Sequence, residues 1–478
     1  MDDARDQPIG PQERNRLLRD IRLPVALAVS GGADSMGMMH LIAGWARTAA
    51  RAAELSLGVA PVLVLTVDHG LRRDSGDEAA FVAAEAEALG LAHVTLLWDG
   101  AKPKSGIQEA AREARYELIC GHIGAEDLPH PRQVLLAHHQ DDQAETVLMR
   151  LARGSGLDGL SAMRPSERRI WLRLGHPVQE RTVMVCRPFL DVPGERLRAS
   201  LAAAGGRFRD DPSNRDTRHE RVRVRAAGAA RATLGLTATG LATSARRLAS
   251  ARVALRTAQA ELARTSVDLH DGAWASIDAE ALAHAPADVA LRLLGAVIAA
   301  FGGQRAPVGL GQLEVLLDRL KQPHGQTLGL TLAGAVIARK PGRSHSAGGG
   351  TGGMVAVYRE PGRRPLPSIT LRPGQGVFWD RRFYVSLDGG FNGALQLGPL
   401  GVADFTHLKR RHRGLARLKI PADAAATLPA LREGADIVAV GYLGREEPAL
   451  GGPADGRKAL LAMQFAPRHV AAVFATEA

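Results

Sequence analysis

Cysteine is almost missing from this chain. Only Cys120 and Cys186 occur among 478 residues, far apart and in no CxxC pair, which excludes a disulfide framework and a cysteine-ligated metal or iron–sulfur site. A reducing cytoplasm fits. Long apolar runs are missing too: none approaches the roughly 18 residues of a membrane span, and the first ten residues, MDDARDQPIG, are polar. The expectation is a cytoplasmic chain, neither secreted nor embedded. No GxxxxGK(S/T) occurs, which removes the standard kinase-type phosphate loop. A GxGxxG does occur at Gly154, Gly156 and Gly159, but it follows a segment of helical period and not a strand, so a dinucleotide reading lacks its context. No long-period repeat is present.

What the chain has in excess is positive charge. Lys and Arg total 61 against 50 Asp and Glu, a net +11 with a pI near 10.3, which favours a polyanionic partner or an anionic membrane surface; enrichment in arginine and alanine across a whole genome is the bland alternative. The 45% hydrophobic and 23% charged content is that of a soluble globular protein. A chain of 478 residues exceeds one domain of roughly 100 to 200, so two or three are expected.

Over the first 190 residues short apolar runs alternate with longer segments of helical period. The stretches 25–30, 62–68, 93–98, 133–138 and 183–189 read as buried strands, and 35–53, 77–89, 106–121 and 141–153 as helices. This alternation predicts an α/β fold, a doubly wound parallel sheet with right-handed crossovers. Ligands in such sheets sit beyond the carboxyl ends of the strands. Ser30-Gly31-Gly32 follows the first strand, Asp68-His69 ends the second, and His138-His139 ends the fourth, so the polar residues gather on one edge.

The stretch LAVSGGADSM, residues 27–36, has the form of an anion site. Gly31 and Gly32 permit close approach of a ligand to the main chain, and the amides opening the next helix, with its dipole, favour negative charge. Ser30 and Ser35 add hydroxyl donors, and Asp34 suits a magnesium ion accompanying a polyphosphate. The plain alternative is a strand-to-helix turn capped by Ser30 or Asp34. In HHQDDQAET, His138 and Asp142 are four apart and Asp142 and Glu145 three apart, so one helix presents all three together. The two carboxylates suit Mg²⁺ and the histidine a developing charge; equally, Asp142-Gln-Ala-Glu145 fits a capping box with Asp142 as N-cap. Gln108, Arg112 and Tyr116 recur at four-residue spacing with Arg115 beside them. Their guanidinium forks suit phosphate, although helix-surface pairing with Glu109 or Glu113 would explain them as well.

SGGADS resembles the SGGxDS loop of the N-type ATP pyrophosphatases, the PP-loop superfamily with an adenine nucleotide alpha hydrolase-like fold. Within it, VDHGLRRDSGDEAAFV from Val67, GIQEAAREARYELI from Gly106, LAHHQDDQAETVLMRLARGSGLDGL from Leu136 and RPFLDVP from Arg187 are similar to the tRNA(Ile)-lysidine synthase family, over about the first 225 residues in unbroken order. The resemblance implies ATP as co-substrate with Mg²⁺, and two half-reactions. The carbon-2 oxygen of the wobble cytidine in a CAU anticodon is adenylated, then free L-lysine displaces AMP. It implies Asp34, Arg112, Arg115, His138 and Asp142 as catalytic residues, Ser30, Gly31, Gly32, Ala33, Asp34, Ser35, Asp68 and His69 at ATP, and Asp34, Asp142 and Glu145 at the metal. Another PP-loop tRNA-modifying enzyme, a thiolase, is the nearest alternative, though thiolases usually need cysteines near ATP. Amide-forming ligases of the superfamily would need a glutaminase domain or ammonia. A non-enzymatic RNA-binding relic would have lost the loop acids that are present here.

From Phe208 the chain reads FRDDPSNRDTRHERVRVRAAGAARA, with six arginines against two acids between Arg215 and Arg231. A basic loop feeding a helix suits phosphate-backbone contacts, and Arg221, Arg223 and Arg225 are expected at the tRNA; Val222 stands where the family's DxSN…RNxIR pattern has asparagine. The division expected is a catalytic domain over 1–225, a mainly helical tRNA-positioning domain over 226–343 with helices at 238–265, 279–300 and 309–320 and a hairpin at 326–340, a glycine-rich linker at 344–353, and a small C-terminal α+β domain over 354–478. In the last of these HLKRRHRGLARLK, residues 407–419, is a basic stripe whose Lys409, Arg410, Arg411 and Arg413 are expected to grip tRNA, a solvated face being the alternative. A homodimer is compatible with the sequence, as is a single chain.

Overall fold

The computed structural model describes residues 6–465 apart from 53–59, 72–74, 101, 104, 126–130, 174–178, 211–216, 219, 271–273, 304–307, 323–327, 340–352, 363–364, 388, 413–414, 416–419, 442 and 444–460. Two compact units divide it: Met1–Arg173 with Glu180–Arg252, and Leu174–Gln179 with Val253–Ala478.

The first unit runs α1 (Pro11–Leu17), β1 (Val25–Ala28), α2 (Ala33–Ala52), β2 (Val62–Asp68), α3 (Ser75–Ala88), β3 (Ala92–Leu97), α4 (Ile107–Ala125), β4 (Gln133–Leu135), α5 (Gln140–Ala152), α6 (Leu157–Leu160), β5 (Ser166–Arg173), β6 (Gln179–Cys186), α7 (Gly194–Ala203), α8 (Glu220–Ala226), α9 (Gly228–Thr233) and the start of α10 (Ala238–Ser266). Its sheet has the order β3-β2-β1-β4-β6-β5, and β1 pairs in parallel with both β2 and β4. The doubly wound α/β fold is therefore present. Alternate residues show why: Val25, Leu27 and Val29 enter one core with Met36 and Met39 of α2 and Leu197 of α7, whereas Ala26 and Ala28 enter another with Tyr116, Ile119 and Ile123 of α4. A strand buried on both faces must be apolar throughout. The chain winds outward from β1 in one direction through β2 and β3 and in the other through β4, so the strand order switches between β1 and β4, where an open α/β sheet offers its crevice.

Elements α2 and α7 meet at backbone distance. A Cβ built on Gly37 of α2 would lie 2.6 Å from the Leu197 carbonyl oxygen, so only glycine allows this approach. Neither α7 nor β5 was expected from the sequence. The expected strands at 25–30 and 133–138 are shorter, which moves Ser30 and residues 136–139 into the loops facing the crevice.

In the second unit β7 (Val267–His270), β8 (Trp274–Asp278), α11 (Ala279–His284), α12 (Ala287–Gly302), α13 (Leu310–Lys321), β9 (Leu328–Leu332), β10 (Ala335–Arg339) and β11 (Met354–Arg359) build a five-stranded sheet in the order β7-β8-β11-β10-β9. Leu293, Val297 and Phe301 of α12 and Leu313 and Leu317 of α13 cover it. The expected hairpin is β9–β10, closed by Ala333 and Gly334 at positive φ as a two-residue turn requires. The division expected at 344–353 is corrected. β11 pairs antiparallel with β8 and β10, so the chain beyond that stretch returns to the centre of the same sheet, and the largely helical region 226–343 supplies the other four strands of that sheet. Of the stretch itself only Gly353 lies among the described residues.

The chain continues through β12 (Ile369–Leu371), β13 (Gly376–Trp379), β14 (Phe383–Leu387), β15 (Leu395–Pro399), α14 (Val402–Arg411), α15 (Ala422–Ala426), β16 (Pro429–Glu433), β17 (Asp436–Val440) and β18 (Leu461–Phe465). These strands form a four-stranded and a three-stranded sheet around Leu371, Phe383, Leu397, Phe405 and Leu431. Among the described residues no helix is long and apolar enough to cross a membrane.

Candidate active site

The loop between β1 and α2 is knit by its serines. The Ser30 N–H donates to Ser35 Oγ at 3.2 Å, and Ser35 Oγ donates to the Gly32 carbonyl at 2.9 Å. Gly31 has φ +85°, a conformation that side chains rarely adopt, and its carbonyl accepts the Arg209 N–H at 2.9 Å. By helix geometry the first-turn amides of α2 lack intrahelical acceptors, so donors line the loop. Asp34 does not spend its carboxylate on capping: Oδ1 is 3.3 Å from Arg198 Nε and Oδ2 is 3.5 Å from His139 Nε2. Burial pushes the Asp34 carboxyl up, but His139 and Arg198 outweigh it and hold it below the usual carboxylate range.

Across the strand switch, α5 begins at Gln140 with His139 as N-cap. Asp142 is thus the third helical residue and not the N-cap; it still closes the cap, its Oδ2 accepting the His139 N–H at 3.1 Å. The His139 side chain is 4% exposed and stands among three acids: Nδ1 is 3.2 Å from Asp141 Oδ2, and Nε2 is 3.5 Å from both Asp34 Oδ2 and Asp142 Oδ2. Burial by itself would keep this ring neutral. Asp141 and Asp34 reverse that and raise it to about 10, while the imidazolium lowers Asp141 to about 2. The adjacent His138 has the opposite state. Burial, with Arg187, Arg221, Arg112 and Arg115 facing it, drives it well below 6.5, and its buried Nδ1 has no hydrogen-bond partner among the described residues.

Glu145, one turn along α5, is 2% exposed in its side chain and meets α8. Arg221 Nε donates to its Oε2 at 2.8 Å and Arg225 Nε to its Oε1 at 2.7 Å, while Arg221 Nη2 reaches Asp142 Oδ1 at 2.9 Å. Two arginines expected on RNA are thus brought onto the acids expected to hold metal. Arg223 turns aside to the carbonyls of Thr217 and Arg218. Asp34 and Asp142, oxygen donors of the kind that Mg²⁺ takes, both turn to the same His139 nitrogen; Glu145 points to the arginines instead. No group of three or more potential ligands is gathered for a metal among the described residues.

Element α4 supplies a basic wall. Arg112 lies 5.4 Å from the Tyr116 ring, and burial beside Arg112 lowers the pKa of Arg115. Arg187, 3% exposed, donates to Tyr116 Oη and to Glu167, each at 3.2 Å. At the end of β2, Asp68 Oδ1 accepts the Gly70 N–H at 2.8 Å, and His69 stands edge-on to Trp98 with centroids 5.7 Å apart. Burial, with Arg115 nearby, lowers His69 to about 4. His139, Asp141, Gly194, Arg198 and Arg187 were not singled out from the sequence for this site. The signal was present in the second histidine of HHQDD and in RPFLDVPG. In the second unit Lys409, Arg410 and Arg411 form the last turn of α14, its arginines exposed; Arg413 lies outside the described residues.

A family model described as a PP-loop domain matches residues 13–229. The chain is 40% identical over 375 residues to the tRNA(Ile)-lysidine synthase of Bradyrhizobium diazoefficiens, across 76% of this chain and 98% of that protein. It is 45% identical over 328 residues to the enzyme of that name from Methylobacterium sp. (strain 4-46), across 67% and 87%, and 34% identical over 421 residues to the one from Ruegeria pomeroyi, across 88% of each.

Proposed function

The chain belongs to the tRNA(Ile)-lysidine synthase family, and on that premise we propose that the crevice at the ends of β1 and β4 joins free L-lysine to carbon 2 of the wobble cytidine in a tRNA(Ile) with a CAU anticodon. The chain is an ATP-using ligase that forms lysidine in tRNA. In the first half-reaction the cytosine carbon-2 oxygen attacks the α-phosphorus of ATP, the bond to the β-phosphate oxygen breaks, and pyrophosphate leaves. In the second the lysine ε-amine attacks carbon 2, the carbon–oxygen bond breaks, AMP departs with that oxygen, and the amine loses a proton.

Loop residues Ser30, Gly31, Gly32, Ala33 and Ser35 take the pyrophosphate part of ATP, with Asp68 and His69 beside them, because fixed donors there are organised before negative charge builds on the leaving group. Mg²⁺, when bound, offsets that charge. Asp34 and Asp142 are the residues that would hold it, with Glu145 released from its arginines as a third. Arg112 and Arg115 stabilise the α-phosphate. His138 acts as a neutral hydrogen-bonding group: a base must keep the proton it accepts, and four arginines facing it oppose a positive charge on the ring. Arg221, Arg223 and Arg225 follow the anticodon backbone, and the stripe on α14 also contacts tRNA phosphates. A cytoplasmic location accompanies this role.

The observation that carries this reading is the meeting, at one strand switch, of the serine–glycine loop with Asp142, Glu145 and the neutral His138. A thiolase gains nothing from the structure. Both cysteines lie in the cores and burial raises their thiols to about 11, far from the thiolate form. The test is incorporation of labelled lysine into a tRNA(Ile) transcript with ATP and Mg²⁺, beside a methionine tRNA with the same anticodon. Label confined to tRNA(Ile) is the expected result; tRNA-dependent AMP without label would keep the ATP chemistry and refute lysine as the nucleophile.

A further inference from the structure

The amino end of α7 meets the His139 ring, and its first residue has no side chain. The Gly194 N–H donates to Asp141 Oδ2 at 2.9 Å, the same oxygen that lies 3.2 Å from His139 Nδ1. A Cβ built on Gly194 would stand 2.8 Å from His139 Cε1 and 2.9 Å from both ring nitrogens. The backbone of α7 is therefore laid against the face of the imidazole. One turn later Arg198 reaches Asp34, so a single helix touches the ring that bridges the two loops and the acid of the first of them.

We propose that Gly194 is a positioning residue for the ATP reaction: the absence of its side chain seats the His139 ring between Asp34 and Asp142 and so fixes the phosphate loop relative to α5. This rests on the ATP-handling reading of the crevice and deepens it.

Something must yield if Gly194 carries a methyl group, and the surroundings decide what. The α7 backbone has no slack, because the Leu197 carbonyl already sits where a Cβ on Gly37 would fall, and tightly packed interiors do not compress. The loop before α7 is likewise held, the Gln140 N–H donating to the Val192 carbonyl at 2.9 Å. The ring is what remains. It is buried, and each direction away from α7 changes its distances to Asp141, Asp34 or Asp142, so the displacement passes to the carboxylates that face ATP.

The test compares Gly194→Ala, His139→Ala and the double variant in the full-length protein, reading the dissociation constant for ATP with Mg²⁺ and the melting temperature, with Glu195→Ala, an exposed neighbour on α7, as control. Gly194→Ala is expected to weaken ATP binding about tenfold with a near-native melt, and to change it less than about twofold once His139 is already alanine, because the two sites share one contact. Equal weakening in both backgrounds, or none in either, overturns the proposal. If Gly194→Ala alone does not fold, recovery of the fold in the His139→Ala background supports the steric argument, and failure in both backgrounds overturns it. Wild-type protein that does not bind ATP would instead refute the functional reading, and the proposal with it.

Discussion

Glu145→Gln should loosen α8 from α5 by an amount that the contacts bound. The carboxylate accepts three hydrogen bonds, from Arg221 Nε at 2.8 Å and from Arg225 Nε and Nη2 at 2.7 and 3.2 Å. Glutamine keeps one acceptor oxygen and turns an NH₂ toward the other guanidinium, so at least one donor meets a donor. Hydrogen bonds to charged groups contribute about 1.5–3 kcal/mol each, and breaking a fully buried ion pair costs about 3–5 kcal/mol. Neither figure applies in full. The arginine side chains are 39% and 48% exposed and can turn to water, which screens much of the loss. About 1–2 kcal/mol remains, a factor of roughly 5–30 in a local equilibrium. Hydrogen exchange is the right assay, since a chain of two units need not melt in one step, and it reads the amides of α8 directly. Exchange over residues 220–226 should quicken by that factor while β1 and β2 keep their protection. Unchanged or slower exchange in α8 would show that Glu145 does not hold it, and that the arginines pair with these acids without stabilising the helix.

Other consequences are cheaper to check. Asp34→Ala should abolish tRNA-dependent AMP formation and leave tRNA affinity nearly intact; wild-type turnover would remove Asp34 from the chemistry. Replacing Lys409, Arg410 and Arg411 together with alanine should weaken tRNA binding most at low salt and lower the slope of log K against log salt by about one for each lost phosphate contact, and an unchanged slope would take α14 out of the interface. Stability should fall as pH drops from about 6.5, because His138 and His69, lowered in the folded chain, take up protons only on unfolding. His139 has the opposite sign: its folded value near 10 gives stability that is complete below about 6.5 and is lost as pH rises through 10. Chemical denaturation across pH should therefore show His138→Gln flattening the acid limb and His139→Gln the alkaline one; the reverse assignment would refute the charge states given to the two rings.

Much of the first unit was legible because its determinants are local. A run such as VLVLTVD, buried on both faces, has one solution in a parallel sheet, and serine, glycine and aspartate after such a run signal a ligand loop whatever lies elsewhere. The second unit was read less well for the converse reason. Met354–Arg359 is a short strand after a glycine-rich stretch, and nothing within it says that its partners are β8 and β10, some 80 and 20 residues back. Glycine-rich sequence reads as a linker locally, whereas the pairing that makes it an internal connection is a long-range property. The long apolar pattern at 279–300 hid a break at Ala285 and Pro286 between α11 and α12, although proline there was a visible stop.

The two adjacent histidines show where local reading of a site ends. His138 and His139 share their sequence neighbours, sit in one loop and are both buried, yet one is held neutral and the other charged. Burial pushes both toward the neutral form, so the difference comes from what each ring faces. His139 is turned to Asp34 on α2 and to Asp141 and Asp142 on its own helix; His138 faces arginines of α4 and α8 and Arg187 after β6. Of these partners only Asp141 and Asp142 are near in sequence. Spacing could place a histidine and two acids on one face of α5, but the choice of histidine depends on α2 and α7 having already packed together, through Gly37 and Leu197. The charge pattern of the site is therefore set by the same backbone approach that closes the fold around it.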